Sequence, residues 1–457
     1  MAEEAENNQV GPVLVVALVG RPNVGKSTIF NRLTKSNKAI VDPTPGVTRD
    51  RHYAPVERDG RRIILVDTGG IELDTAGTIS RQIQEQTWAA TREADVILHI
   101  MDGVGGVLAE DYEVVERLRR VGKPVYHLVN KVDGPEKEAE ILGQFYELGI
   151  TDLEAISAAH GYGFKTFFDN FFAELPQEAG QTVPAETIRI ACIGRPNVGK
   201  SSLINRLTGA ERMVVSEIPG TTRDSVDTVL SRHGRDYLLI DTAGIRRRGK
   251  VKEKIEIFSV MRALSALERC DLALLLIDAA EGVTEQDMKV IGYALDRGRA
   301  CLVLLNKWDL VKGDRKQEKW ILNEVAMATK FMPYAPLLKV SALTGGGVQK
   351  ILPLANKVFG QYIASFSTNK LNNILSRATE AHTPPLHKGR RLKFYYTTQV
   401  SERPPTFVVF VNYPKGVHFS YHRFLVNQFR DELGLDKIPI RLFLRERKRK
   451  SYGKKQP

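Results

Sequence analysis

Short apolar runs recur along the first three-quarters of the chain, separated by helix-length segments. Val13–Val19, Ile63–Val66, Val96–Met101 and Val125–Val129 form one series, and Arg189–Ile193, Tyr237–Ile240, Leu272–Ile277 and Cys301–Leu305 form a second. Such runs suit strands buried on both faces, and the segments between them suit crossover helices. The expected fold class is α/β, with two mainly parallel sheets flanked by helices. Ser27–Leu33 and Ser201–Leu207 read as helices that open directly after a glycine-rich loop. Beyond Gln361 the pattern changes. Leu371, Ile374, Leu375 and Ala378 mark an amphipathic helix, Leu392–Val400 and Thr406–Val411 read as strands, Tyr421, Leu425, Phe429 and Leu433 mark a second helix, and Ile440–Leu444 a last strand. This predicts a C-terminal α+β module in the order α-β-β-α-β.

The two series are copies. Gly20, Arg21, Pro22, Asn23, Val24, Gly25, Lys26, Ser27 and Thr28 return as Gly194, Arg195, Pro196, Asn197, Val198, Gly199, Lys200, Ser201 and Ser202 at an offset of 174. Pro45–Asp50 returns as Pro219–Asp224, and Asp67-Thr-Gly-Gly70 as Asp241-Thr-Ala-Gly244, at the same offset. Asn130-Lys131-Val-Asp133 returns as Asn306-Lys307-Trp-Asp309 at 176, and Ser157-Ala158 as Ser341-Ala342 at 184. An offset that grows in small steps means a duplicated domain with loop insertions, far too long a period for a solenoid. Glu174–Thr187, with two Pro, one Gly and three Glu, reads as the linker.

A glycine-rich loop between strand and helix aims backbone N–H groups at phosphates, and the helix N-terminus adds partial positive charge. Lys26 and Lys200 would reach the β- and γ-phosphates, and Ser27 and Ser201 would place a hydroxyl on Mg²⁺. Asp67 and Asp241 each follow an apolar strand, where a carboxylate needs a cation partner; holding Mg²⁺, directly or through water, is the expected role. Gly70 and Gly244 would bring a backbone N–H to the γ-phosphate. Thr48 and Thr222 would complete the Mg²⁺ shell only when that phosphate is present, which is a nucleotide-sensing switch. Guanine offers two adjacent donors that a carboxylate at Asp133 or Asp309 can accept, and adenine lacks that pair. The stems of Lys131 and Lys307 would pack on the base, and backbone at Ser157-Ala158 and Ser341-Ala342 would meet its other edge. GTP and GDP are therefore the expected ligands, with Mg²⁺.

Composition sharpens the picture at the C-terminus. The 457 residues hold 66 Lys and Arg against 54 Asp and Glu, a net of +12. From Gln361 onward there are 19 basic and 6 acidic residues, so that segment carries +13 and the rest −1. Clustered basic charge suits a polyanion such as RNA, or a solvated surface. Arg445–Lys455 reads as a flexible arm on a phosphate backbone or a solubilising tail. The three cysteines, Cys192, Cys270 and Cys301, sit in or beside apolar runs and read as buried, reduced core residues. Met1–Gln9 has three Glu and no Lys or Arg, unlike a signal or transit peptide, and no apolar run reaches the roughly 20 residues of a membrane span. The expected location is cytoplasmic, with no membrane partner and no obligate oligomer.

Each repeat resembles an Era-like GTPase domain of the translation-factor class, with five motifs in order. Two such domains before a small basic module resemble the EngA (Der) family of bacterial double GTPases acting in ribosome assembly. The resemblance runs from Val13 to about Arg447. It implies a first GTPase domain over 1–173, a linker over 174–187, a second GTPase domain over 188–360, a KH-like domain over 361–447 and a basic tail over 448–457. It implies that the large ribosomal subunit and its rRNA are the partners. Ras-like enzymes orient water with a Gln after Asp-x-x-Gly; Ile71 and Ile245 stand there and cannot. In related Era-like domains an Asn at the position of Asn23 and Asn197 helps hold a monovalent cation, which implies K⁺-stimulated hydrolysis; a turn preference explains Asn equally. The catalytic candidates are thus Lys26, Asn23 and Thr48 in the first copy and Lys200, Asn197 and Thr222 in the second. The second copy carries five basic groups over Arg246–Lys252, either a solvated loop or a contact to RNA or an acidic surface. The C-terminal module lacks the Gly-x-x-Gly loop of ordinary KH domains, so shape and phosphate recognition or docking on the GTPase domains is expected instead. A nucleotide-gated RNA scaffold with one active GTPase domain is the alternative from another functional class, and a membrane-associated signalling GTPase finds no lipidation motif to support it.

Overall fold

The computed structural model describes residues 9–10, 13–36, 52–71, 88, 90–175, 181–182, 184, 186–209, 214–219, 226–232, 234–242, 256–384, 386–387 and 389–447. Thr48, Thr222, Gly244, Ile245, the basic stretch Arg246–Lys252 and the tail 448–457 lie outside them. The chain divides into two compact units. The described residues of 1–185, 219–226 and 247–269 form the first, and those of 186–218, 227–246 and 270–457 the second.

The first unit is built on a six-stranded sheet. Its strands are β1 (Leu14–Val19), β2 (Tyr53–Arg58), β3 (Arg61–Asp67), β4 (Val96–Asp102), β5 (Val125–Asn130) and β6 (Leu153–Ile156), in the spatial order β2-β3-β1-β4-β5-β6. Only the β2–β3 hairpin is antiparallel. The helices are α1 (Lys26–Ser36), α2 (Ala109–Val121), α3 (Glu138–Phe145) and α4 (Phe164–Glu174). One sheet face packs Leu18, Leu98 and Ile100 against Ile29 and Leu33 of α1 and the phenylalanine-rich face of α4. The other packs Met101 and Val129 against Val115 of α2 and Leu142 and Phe145 of α3. With both faces covered, β4 is buried along its whole length, which is why its sequence is apolar apart from His99 and Asp102. Within the segment expected as a linker, Gln181–Thr182 pairs antiparallel with Gln9–Val10. The helix Glu256–Arg269, from the second repeat, lies in the first unit, where the Ser265 hydroxyl donates to the Val13 carbonyl oxygen at 3.5 Å.

The second unit repeats the plan in a seven-stranded sheet. Its strands are β7 (Ile188–Ile193), β8 (Val214–Pro219), β9 (Val226–Arg232), β10 (Arg235–Ile240), β11 (Leu272–Asp278), β12 (Ala300–Asn306) and β13 (Leu337–Lys339), in the order β8-β9-β10-β7-β11-β12-β13. Helices α5 (Lys200–Thr208), α6 (Glu285–Arg297), α7 (Arg315–Ala328) and α8 (Ile351–Tyr362) follow. A C-terminal module then runs α9 (Thr368–Ala381), β14 (Phe394–Glu402), β15 (Pro405–Val411), α10 (Phe419–Leu433) and β16 (Arg441–Glu446). Its sheet order is β14-β15-β16, antiparallel then parallel. This is the α-β-β-α-β order that the periodicity predicts, with one unpredicted two-residue hairpin, Leu386–His387 against Arg390–Arg391, between α9 and β14, and all eight apolar positions picked out on the two helices are buried. Cys270 and Cys301 are buried as expected, while Cys192 keeps partial exposure; all three are free thiols, and burial pushes the Cys192 thiol up to about 12.

The module shares its core with the sheet before it. One cluster runs from Ile188 and Leu274 through Phe359 and Tyr362 of α8 to Phe407 and Phe429, so one apolar core continues across the chain position of Gln361. Polar contacts frame it. The Arg441 guanidinium donates to the Asp296 carbonyl oxygen at 3.1 Å, Arg430 lies 4.7 Å over the Tyr334 ring, and the Tyr362 hydroxyl donates to the Gly298 carbonyl oxygen at 3.1 Å. The buried Asp271 carboxylate takes two hydrogen bonds from the Arg189 guanidinium, at 2.8 and 2.6 Å, and one from its backbone N–H at 3.2 Å, and stands 3.6 Å from Arg403 of the module. Three of the basic residues behind the C-terminal charge thus face inward.

The register of the first sheet sets His99 of β4 beside His127 of β5, with the two Nδ1 atoms 3.0 Å apart. His99 is fully buried and its Nε2 has no hydrogen-bond partner. Burial, with His127 and Lys26 adding repulsion, lowers the His99 pKa to about 3, and burial with Arg119 lowers His127 to about 4 against an opposing pull from Asp152. Both rings fold neutral. Below the ordinary value of 6.5 the unfolded chain takes up protons that the folded chain refuses, so stability falls as pH drops from about 6.5 towards 4. The equivalent positions in the second repeat, Leu275 and Val303, form the same register pair without a titratable group. The double variant His99→Leu/His127→Val should therefore lose less stability than the parent between pH 7 and pH 5. Denaturant midpoints across that range check this, and parallel pH curves for the two proteins would refute it.

Candidate functional site

Parallel strands deliver their C-terminal ends to one edge of each sheet, and the loops that leave those ends gather there. In the first unit the loop after β1 closes on α1, whose first residue is Lys26. Two glycines make the turn possible. A Cβ at Gly20 would fall 2.1 Å from the Ile100 carbonyl oxygen, and one at Gly25, where φ is +100°, 2.2 Å from the Asn130 amide nitrogen. Lys26 is buried, and its ammonium donates to the carbonyl oxygens of Gly20 and Arg21 at 2.6 and 2.9 Å. Lys200 repeats this with Gly194 and Arg195, both at 2.6 Å.

Ser27 at the start of α1 and Asp67 at the end of β3 meet, the hydroxyl donating to the carboxylate at 2.6 Å. The other Asp67 oxygen accepts the Gly69 N–H at 3.0 Å, and Gly70 lies in the short helical turn Thr68–Ile71. Two adjacent hard oxygen donors fit Mg²⁺, which keeps several waters and takes further oxygens from phosphates. The second copy is arranged differently. Asp241 lies just past β10 in a left-handed conformation with φ +56°, and its N–H donates to Asp227 at 3.0 Å.

The base-side motif is braced from within. The Asn130 amide donates to the Val24 carbonyl oxygen at 2.8 Å, and its oxygen accepts the Ala158 N–H at 2.9 Å. Asn306 makes the same pair of bonds to Val198 and Ala342, at 2.7 and 2.9 Å. These asparagines thus tie the phosphate loop to the base-side loop, a bracing role that the motif alone did not suggest. Asp133 accepts the Ser157 hydroxyl at 2.8 Å. Lys131 and Lys307 adopt left-handed conformations, with φ +72° and +59°, and their ammonium groups pair with Asp102 and Asp278 at 2.6 and 2.5 Å. Burial pushes the Asp102 carboxyl up, but Lys131 and the N–H groups of Gly105 and Val104 outweigh it and hold its pKa below the ordinary carboxylate value. Asn23 and Asn197 are exposed at the loop tips with φ +65° and +61°.

Three further pairs escaped the motif reading. Asp102 and Asp278 hold the lysines. Arg21 reaches Asp111 at 3.2 Å, and Arg195 stands 3.6 Å from Asp287, each guanidinium thereby fixed beside its loop. Arg32 donates to the Ala158 carbonyl oxygen at 2.6 Å and Arg206 to that of Ala342 at 3.3 Å. The repeat offset was the available signal: the Asp102/Asp278 and Asp111/Asp287 pairs recur at 176 and Arg32/Arg206 at 174.

A strand–glycine loop–helix, a lysine across the loop and a braced Asn-Lys-x-Asp turn, present in both copies, with the serine–aspartate pair of the first, define a P-loop GTPase fold occurring twice. The family model described as "50S ribosome-binding GTPase" matches residues 15–131 and 189–307, and that described as "KH-domain-like of EngA bacterial GTPase enzymes, C-terminal" matches residues 366–445. GTPase Der of Geotalea daltonii is 49% identical over 439 residues, 96% of this chain and 99% of that protein. GTPase Der of Desulforapulum autotrophicum is 50% identical over 443 residues, 94% of this chain and 90% of that protein. Among solved structures, a point variant of Aquifex aeolicus Era bound to GDP and AlF₄⁻ aligns over 57% of this chain and 93% of its own at 21% identity and a TM-score of 0.30. The chain belongs to the EngA (Der) family of tandem GTPases, and it binds and hydrolyses GTP. Among the described residues no helix is long and apolar enough to cross a membrane.

Removing the brace should be felt at the nucleotide. Asn130→Ala strands a buried carbonyl and N–H, at a cost of about 1–3 kcal/mol for each unsatisfied group. Titration with a fluorescent GDP analogue should show the first site weakened about tenfold or more, while the second site keeps its affinity. Unchanged binding at the first site would mean that the brace is dispensable.

Proposed function

We propose that the protein is a nucleotide-dependent switch in large ribosomal subunit assembly in the cytoplasm, binding rRNA with its basic C-terminal module. The observation that carries this reading is the pairing of two sets of nucleotide-binding motifs with a C-terminal segment, module and tail together, that holds the chain's whole excess of positive charge, +13 from Gln361 onward. The family model for the GTPase repeats bears the description "50S ribosome-binding", which supports the choice of subunit. GDP or GTP would lie across each frame. Lys26 and Lys200 would leave their loop carbonyls for phosphate oxygens, Asp133 and Asp309 would take the guanine donors, and Ser27, Asp67, Ser201 and Asp241 would face Mg²⁺, with Thr48 and Thr222 joining in the GTP state. Bound Mg²⁺ would offset negative charge between the phosphates.

Hydrolysis cannot use a water-orienting glutamine, because Ile71 stands where Ras-like enzymes place one, and the charge that develops on the phosphate oxygens still calls for an electrostatic partner. We assign K⁺ beside Asn23 and Asn197 that role. Their left-handed backbone accounts for asparagine on its own terms, so the cation needs its own test. GTP turnover should rise several-fold when K⁺ replaces Na⁺ at matched ionic strength, and Asn23→Ala/Asn197→Ala should abolish the difference. Equal rates in both salts for the parent protein would remove the cation from the mechanism.

The ribosomal reading is tested by co-sedimentation with separated subunits. Binding to the large subunit should strengthen with a non-hydrolysable GTP analogue over GDP and weaken steeply with salt. Binding that ignores the nucleotide and does not discriminate between subunits would overturn it.

A further inference from the structure

The register of the C-terminal sheet sets one row of side chains across all three strands. Tyr396 of β14 pairs with Phe410 of β15, and Phe410 with Arg445 of β16. Phe407, Val409 and Leu442 alternate with this row and belong to the core, so the row lies on the opposite face. The Tyr396 and Phe410 rings are stacked, with centroids 4.4 Å apart and planes 18° from parallel. Tyr396 is 40% exposed and its neighbour Tyr395 39%, an unusual exposure for two adjacent tyrosines in a strand. The Arg447 guanidinium sits 5.1 Å from the Tyr395 ring centroid. Arg445 and Arg447 are exposed beside the rings, and Lys393 is exposed just before β14.

We propose that this aromatic and arginine row is a stacking platform for unpaired RNA bases. Flat rings open to solvent and spaced among cations match the chemistry of a single strand, in which each base has a free face and each linkage a negative charge. A duplex keeps its bases stacked on one another and has only its backbone to give to the cations. The platform does without the missing Gly-x-x-Gly loop, since stacking holds bases by their faces and needs no clamp on the sugar–phosphate backbone. It reads bases by their faces, so it favours unpaired segments with little regard to sequence. The choice of RNA over DNA rests on the ribosomal role proposed above.

The test uses the full chain and a fluorescein-labelled oligouridylate of about ten nucleotides, with a duplex RNA of the same length as competitor. Anisotropy at matched salt should show the single strand bound about tenfold tighter than the duplex. Tyr396→Ala should lose about tenfold on the single strand and leave duplex binding unchanged, while Tyr396→Phe, which keeps the ring, should bind as the parent does. Thermal midpoints equal to the parent's show that the variants are folded. Equal affinity for single strand and duplex, or a folded Tyr396→Ala variant that binds the single strand as the parent does, would overturn the platform. That failure is separable from failure of the ribosomal role, because subunit co-sedimentation can persist without single-strand preference and the preference can hold without subunit binding.

Discussion

Each nucleotide frame hangs on one asparagine side chain. The phosphate loop and the base-side loop leave different strands and are joined by no ladder; Asn130 in one copy and Asn306 in the other bridge them with one donor and one acceptor. Everything else is set by that spacing. The glycine at Gly25 or Gly199 is required because a Cβ there would collide with the same amide at 2.2 Å. Directly after each asparagine, Lys131 and Lys307 turn the chain through the left-handed region. The carboxylates Asp102 and Asp278 then fix where each lysine points. A rigid frame of this kind pre-arranges both ends of a nucleotide before it arrives, which lowers the ordering cost of binding.

Much of this was legible in the sequence because it is local. Strand, glycine turn and helix follow each other within a few residues, and the duplication supplied a second reading of each motif. What escaped depends on contacts between distant segments. Asp102 meets a lysine 29 positions later, and nothing near it in sequence names that partner. His99 and His127 become neighbours only through parallel register. The role of Asn130 was hidden for the same reason, since the motif suggests a ligand contact and the fold uses the side chain as a brace.

The basic C-terminus shows how charge counts need geometry. Arg403, Arg430 and Arg441 contribute to the excess, yet they approach a buried carboxylate, a tyrosine face and a backbone carbonyl within the second unit. Guanidinium suits such places because it is planar and weakly hydrated, and lysine would not replace it there. Arg445 and Arg447 stay at the surface beside aromatic rings. One residue class thus holds the module to its neighbour and leaves a separate set for solvent or partner.

The shared core between the second sheet and the C-terminal module bears on how such a chain is inherited. Phe359 and Tyr362 lie in one apolar cluster with Phe407 and Phe429. A module joined by a bare linker can be lost, duplicated or exchanged between genes with little damage to either side. Here a break at the motif boundary would open an apolar surface on both pieces. The second GTPase repeat and its C-terminal module are therefore bound to descend together, and recombination in this lineage should find no tolerated crossover point at Gln361.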